Sequence, residues 1–134
     1  LYTSVLPNLI IKGVSEAIAR SSAYKIYVCN VMTQPGETDG FSASDHVRAI
    51  VEHTNPGVIN ACILNNAQAP ADALERYKKE NSYPVAADID KIKEMEFKVV
   101  ATDLLGVDNY VRHDSTKLTK TLIKVIETHR VIKR

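Results

Sequence analysis

The sequence predicts an α/β fold, a mainly parallel sheet with helices on both faces. Three observations carry that prediction. Three short runs rich in β-branched and aromatic residues, 25–29, 58–64 and 97–102, read as buried strands. The stretches between them carry apolar residues at helical spacing, as in alternating strand–helix units. Each run ends in polar side chains: Asn30, then Asn65 and Asn66, then Thr102 and Asp103. Ligands of such sheets gather outside the carboxyl ends of the strands, so these ends select the residues that matter.

The chain opens on residues 1–20, where Leu6, Leu9, Ile10, Gly13, Ala17 and Ile18 form one helical stripe. Pro7 is tolerated only near a first turn, which places the helix start at Thr3 or Ser4. A helix with no strand before it to follow suggests the C-terminal part of a longer protein. The first strand runs into a loop, 30–41, of about twelve residues, where ~2–6 usually suffice. Loops of that length in a compact chain usually carry function or are disordered. This one holds Asn30, Thr33, Gln34, Glu37, Thr38 and Asp39 and no Lys or Arg. Ser42 then caps a helix whose first turn contains Asp45 and whose inner face is Val47, Ile50, Val51 and Thr54. The start of that helix offers backbone N–H groups to a phosphate.

Asn55-Pro56-Gly57 turns the chain into the second strand. Pro70 opens a helix that runs from Asp72 to Asn81 and faces Ala73, Leu74 and Tyr77 inward. Ser82-Tyr83-Pro84 ends it. Residues 85–87 read as a short strand, 88–95 as a turn or short helix, 103–109 as a loop and 110–112 as a last short strand. The final helix starts at Asp114 or Ser115 and buries Leu118, Leu122, Val125 and Ile126, with a solvated Lys/Arg face opposite.

The 134 residues are 45% hydrophobic and 25% charged with net charge +1, which fits one globular domain and gives no field that would select nucleic acid. No apolar run approaches the ~20 residues of a membrane span. Cys29 and Cys62 lie inside apolar runs and read as buried reduced thiols, as in a cytoplasmic protein. No Walker, G-x-G-x-x-G or Ser/His/Asp pattern appears.

The candidate site residues follow from the strand ends. The amides of Asn30, Asn65 and Asn66 suit ribose, uracil or sugar groups, or else cap strands and turns. Arg112 supplies a planar fork for phosphate or carboxylate, or else an ion pair with Asp108 or Asp114. His46, one turn into its helix, reads as a phosphate or base contact, or as a surface or core-edge histidine. Tyr77 stacks on a base or packs in the core. Thr33, Thr38 and Asp39 arm the long loop, and Glu37 with Asp39 are weak candidates to hold Mg²⁺.

The segment NVMTQPGETDGFSASDHV, from Asn30 to Val47, resembles the signature of the bacterial gluconeogenesis factor family. That family is the CofD-like group related to 2-phospho-L-lactate transferase. The opening LYTSVLPNL, the pair Asn65-Asn66 and the run Tyr110-Val111-Arg112-His113-Asp114 resemble further landmarks of it, so the likeness covers essentially the whole chain. It implies a Rossmann-like, cytoplasmic protein of which this is the C-terminal portion, lacking a glycine-rich N-terminal half. It implies binding of a UDP-sugar of the UDP-N-acetylglucosamine type, without established catalysis, in a regulator needed for growth and cell shape on gluconeogenic carbon. A homodimer is left open. The alternative is a transferase of deazaflavin coenzyme biosynthesis, with Mg²⁺ as cofactor. The transferase branch carries Ser-Pro-Ile, Gly-Gly and Lys-Gly-Pro where this chain has an acidic loop without lysine, and phosphoryl transfer leans on positive charge or metal.

Overall fold

A computed structural model describes residues 1–107 and 110–132, the side chain of Ile132 excepted. β1 (Ile26–Val28), β2 (Ala61–Asn65) and β3 (Lys98–Thr102) form a parallel sheet in the order β1-β2-β3. The register sets Tyr27 beside Cys62 and Cys62 beside Val99, so one face carries Tyr27, Cys29, Cys62, Leu64, Val99 and Ala101. α1 (Leu6–Leu9), α3 (Ala43–Glu52) and α5 (Ile89–Glu94) close that face through Leu6, Val47, Ile50 and Ile92. α6 (Ser115–Ile132) lies over the other face. The expected α/β layering is therefore present, with helices on both sides of a parallel sheet.

Both cysteines are free and buried, and burial pushes the Cys29 thiol up to about 12.

Several local expectations are corrected. The opening helix is two pieces, α1 and α2 (Val14–Arg20). Gly13 caps α2 in the left-handed region, at φ 85°, where a side chain is strained. It turns the chain instead of packing it, and Ile10 is left 61% exposed. Val51 faces outward on α3. α4 (Ala71–Lys79) stops short of Asn81, whose own positive φ breaks the helical path. Residues 85–87 form no strand; a single bridge joins Met32 to Pro84. The stretch 88–95 does hold the short helix α5, one of the two forms expected of it. The stretch 103–109 contains a strand, β4 (Leu105–Val107), which pairs antiparallel with β5 (Val111–His113). Gly106 sits opposite Arg112 there, and a Cβ on it would lie 3.3 Å from the Asp114 backbone. Ile126 points out of α6 at 39% exposure, and none of the described residues of α6 is fully buried.

The start of α3 is the best-defined cap in the chain. Ser42 and Asp45 form the expected capping box. Asp88, from just before α5, adds a second carboxylate: it accepts from the Ser44 backbone N–H at 2.9 Å and from the Ser44 hydroxyl at 2.6 Å. The Ala43 N–H donates to the Ala86 carbonyl at 2.9 Å. Partial burial raises the Asp88 pKa, but the Ser44 and Ser42 donors outweigh it and the net shift is downward. The Asp45 pKa is lowered first by the Ser42 backbone N–H. In the folded state both carboxyls thus hold protons less well than in the unfolded chain. Their contribution is fully present above the unfolded carboxylate range, about pH 4, and is lost as pH falls through the lower folded values. Thermal unfolding followed from pH 6 down to pH 2 is expected to show this loss, with a shallower acid limb in Asp88→Asn. An identical limb in the variant would remove Asp88 from the account.

Candidate ligand site

The long loop is tied down from inside. The Thr33 N–H donates to the Tyr83 carbonyl at 2.7 Å, its hydroxyl accepts from the Tyr83 N–H at 2.9 Å, and its carbonyl accepts from the Ser82 hydroxyl at 2.6 Å. Thr38 is fully buried; its hydroxyl accepts from the Gln34 N–H at 2.9 Å. Within this fold both threonines are fasteners of the loop, and their side chains do not face solvent where a ligand would arrive. His46 is also fully buried. Its Nδ1 lies 2.8 Å from the Ser42 carbonyl, Phe41 meets the ring edge-on, and Nε2 is buried with no hydrogen bond. Burial, the largest influence, holds His46 below the ordinary histidine range. That makes it a core histidine in this fold.

The start of α3 is closed as well, since the chain's own Ser42, Asp88 and Ala86 occupy its first-turn N–H groups. The expectation of a phosphate at this helix start is corrected on that ground. α4, by contrast, begins at Pro70 with no side-chain cap, five residues beyond the end of β2.

Glu37 and Asp39 serve different partners. Glu37 accepts from the Leu1 nitrogen, the Tyr2 N–H and the Thr3 hydroxyl. Burial pushes its pKa up, but these donors hold it below the usual carboxylate range. Asp39 accepts from the Gly36 N–H at 2.7 Å. Among the described residues no group of three or more His, Cys, Asp or Glu is placed to hold a metal ion.

The carboxyl edge of the sheet is where predicted residues come together. The Asn30 amide donates to Gln34 Oε1 at 3.4 Å. Asn65 knots two strand ends: Oδ1 accepts from the Leu104 N–H at 3.0 Å, and Nδ2 donates to the Ala67 carbonyl at 2.8 Å. The exposed Asn66 side chain has no hydrogen bond among the described residues. Lys117 reaches from α6 to Asp103 Oδ2 and to the Leu105 carbonyl, each at 2.8 Å, and pulls the Asp103 pKa down. Tyr77 is anchored through its hydroxyl. Its hydroxyl accepts from the Val111 N–H at 2.9 Å and donates to the Val111 carbonyl at 3.4 Å, pinning β5 to α4.

Arg112 projects beside this anchor. It is exposed, its guanidinium lies 5.0 Å from the Tyr110 ring centre, and it forms no ion pair among the described residues. Asp108, one of the two partners considered for it, lies outside the described residues; Asp114 instead accepts from the Lys117 N–H. A hollow of about 310 Å³ opens between Arg76, Tyr77, Glu80 and Tyr110. His113, the neighbour of Arg112, is reached by the strand-end rule but given no role of its own. Its ring is held by the Cys29 backbone at the end of β1, and Nε2 is buried without a partner.

A parallel α/β sheet whose carboxyl edge presents amides, with an exposed arginine on the β4–β5 ribbon, defines the class: a CofD-like α/β protein. The chain belongs to the CofD family, since the family described as 2-phospho-L-lactate transferase CofD matches residues 1–105. A relative from Thermoanaerobacterium thermosulfurigenes is 44% identical over 128 residues, covering 95% of this chain and 39% of the relative. A Bacillus subtilis protein named gluconeogenesis factor is 37% identical over 128 residues, covering 95% and 40%. The crystal structure of a UPF0052 family member from Bacillus halodurans superimposes with a TM-score of 0.88 at 38% identity, covering 91% of this chain and 39% of that one. The chain thus spans about two-fifths of the length of the relatives it matches. No helix among its described residues is long and apolar enough to cross a membrane.

Proposed function

We propose that this chain contributes the nucleotide-sugar site of a gluconeogenesis-factor-type regulator. The ligand is a UDP-sugar of the UDP-N-acetylglucosamine type, bound without turnover. The regulator acts in the cytoplasm and supports growth and cell shape on gluconeogenic carbon. One observation carries the reading: Arg112 is exposed, and in no ion pair among the described residues, beside the Tyr77–Tyr110 hollow. A guanidinium fork suits a diphosphate, and tyrosine faces suit a uracil ring. The open amide of Asn66 suits sugar hydroxyls. The commitments of Glu37 and Asp39 weigh against the transferase alternative, because that chemistry would ask them to hold Mg²⁺.

Isothermal titration with UDP-N-acetylglucosamine, with and without EDTA, separates the two readings. For the regulator, affinity survives chelation, and Asp39→Asn changes it by no more than about 1 kcal/mol, the scale of a neutral hydrogen bond. Affinity that collapses in EDTA, or slow consumption of ligand with Mg²⁺ and a deazaflavin acceptor, would replace the regulator by the transferase.

A further inference from the structure

Beneath α6 lies a cavity of about 340 Å³, on the face of the sheet away from the main core. Its walls include Val100 of β3 and Val125 of α6. Lys98 and Lys124 stand along it, neither in an ion pair among the described residues, and no carboxylate lines it. Tyr24 and His129 close one end with stacked rings, 3.8 Å between centroids. The threonines on this side of α6 turn their hydroxyls to their own helix: Thr121 donates to the Lys117 carbonyl and Thr128 to the Lys124 carbonyl. Their hydrogen-bonding needs are therefore met without a ligand. The volume falls within the ~300–1,000 Å³ of small-molecule sites, and such sites are mostly apolar with a few placed polar groups.

We propose that this cavity is a second binding site, for an apolar molecule carrying one anionic group, such as a medium-chain carboxylate. The apolar walls take the hydrocarbon body, and the two lysines, in no ion pair among the described residues, take the anion. The site shares none of its lining residues with the Tyr77–Tyr110 hollow.

The test is displacement of anilinonaphthalene sulfonate by decanoate, with 1-decanol as the neutral counterpart. The protein is expected to bind the dye, and decanoate to displace it at lower concentration than decanol. Val125→Trp, which fills the cavity, should abolish both. Lys98→Glu with Lys124→Glu changes only exposed positions, so it tests the anion contact even if the tryptophan variant misfolds. It should weaken decanoate by about tenfold or more, the scale of one charge-assisted hydrogen bond, and leave decanol unchanged. Titration of UDP-N-acetylglucosamine should be the same in all variants, which keeps the outcome separate from the nucleotide-sugar reading. Failure of decanoate to displace the dye overturns the proposal. Equal decanoate binding by the charge-reversed variant does so too, as does dye exclusion accompanied by self-association in sedimentation, which would make a second copy the occupant.

Discussion

Arg112→Ala is expected to weaken binding of UDP-N-acetylglucosamine by about 1.5–3 kcal/mol, the cost of a lost charge-assisted hydrogen bond. That is roughly tenfold to somewhat over a hundredfold in affinity. Among the described residues the guanidinium forms no ion pair: Asp114 is engaged at the start of α6 and Asp103 by Lys117. The side chain is exposed on β5, so its removal should change stability by no more than about 0.5 kcal/mol. Arg112→Lys should recover only part of the affinity, because an ammonium lacks the planar fork. Calorimetric titration of folded wild type, alanine and lysine variants decides it. Equal affinities in all three would leave Arg112 as a surface residue resting on Tyr110.

Leu64→Ala is expected to cost about 2–5 kcal/mol of folding stability, the range for a large-to-small change in a close-packed interior. Leu64 is 1% exposed on the central strand, within the cluster that includes Val47, Ile50 and Ile92. It also directly precedes Asn65, the knot between β2 and the chain beyond β3. Urea unfolding should show a lower midpoint with an unchanged slope. A loss below about 1 kcal/mol would mean that the site can collapse or that the core is looser than the burial implies.

The sheet and the α3 cap were legible because both are local signals. Apolar runs of 25–29, 58–64 and 97–102 must be buried, and Ser42 with Asp45 needs only three residues of sequence to declare a capping box. The β4–β5 hairpin was not legible. Its first strand is three residues with Gly106 in the middle, so neither length nor alternation announces it. Gly13 was read as a packing residue because a glycine in a helical stripe gives no sign of its φ. For the site, the strand-end rule pointed to Asn30, Asn65, Asn66 and Arg112. It could not separate contacts from fasteners. The bonds from Thr33 to Tyr83, and from Ser44 to Asp88, link residues far apart in the chain, and no periodicity encodes them. His46 looked accessible because it follows a polar loop, yet the helical turn that carries it faces the core.

The paired bonds from the Tyr77 hydroxyl to Val111 have a mechanical consequence. A two-stranded ribbon on its own is soft. Clamped through both backbone groups of one residue, β5 moves as an appendage of α4, and the neighbouring guanidinium moves with it. A tilt of that helix is then levered directly into the position of Arg112. A molecule gripped by the guanidinium would push back along the same arm, so whatever rests on the outer surface of α4 is within reach of the ligand's signal.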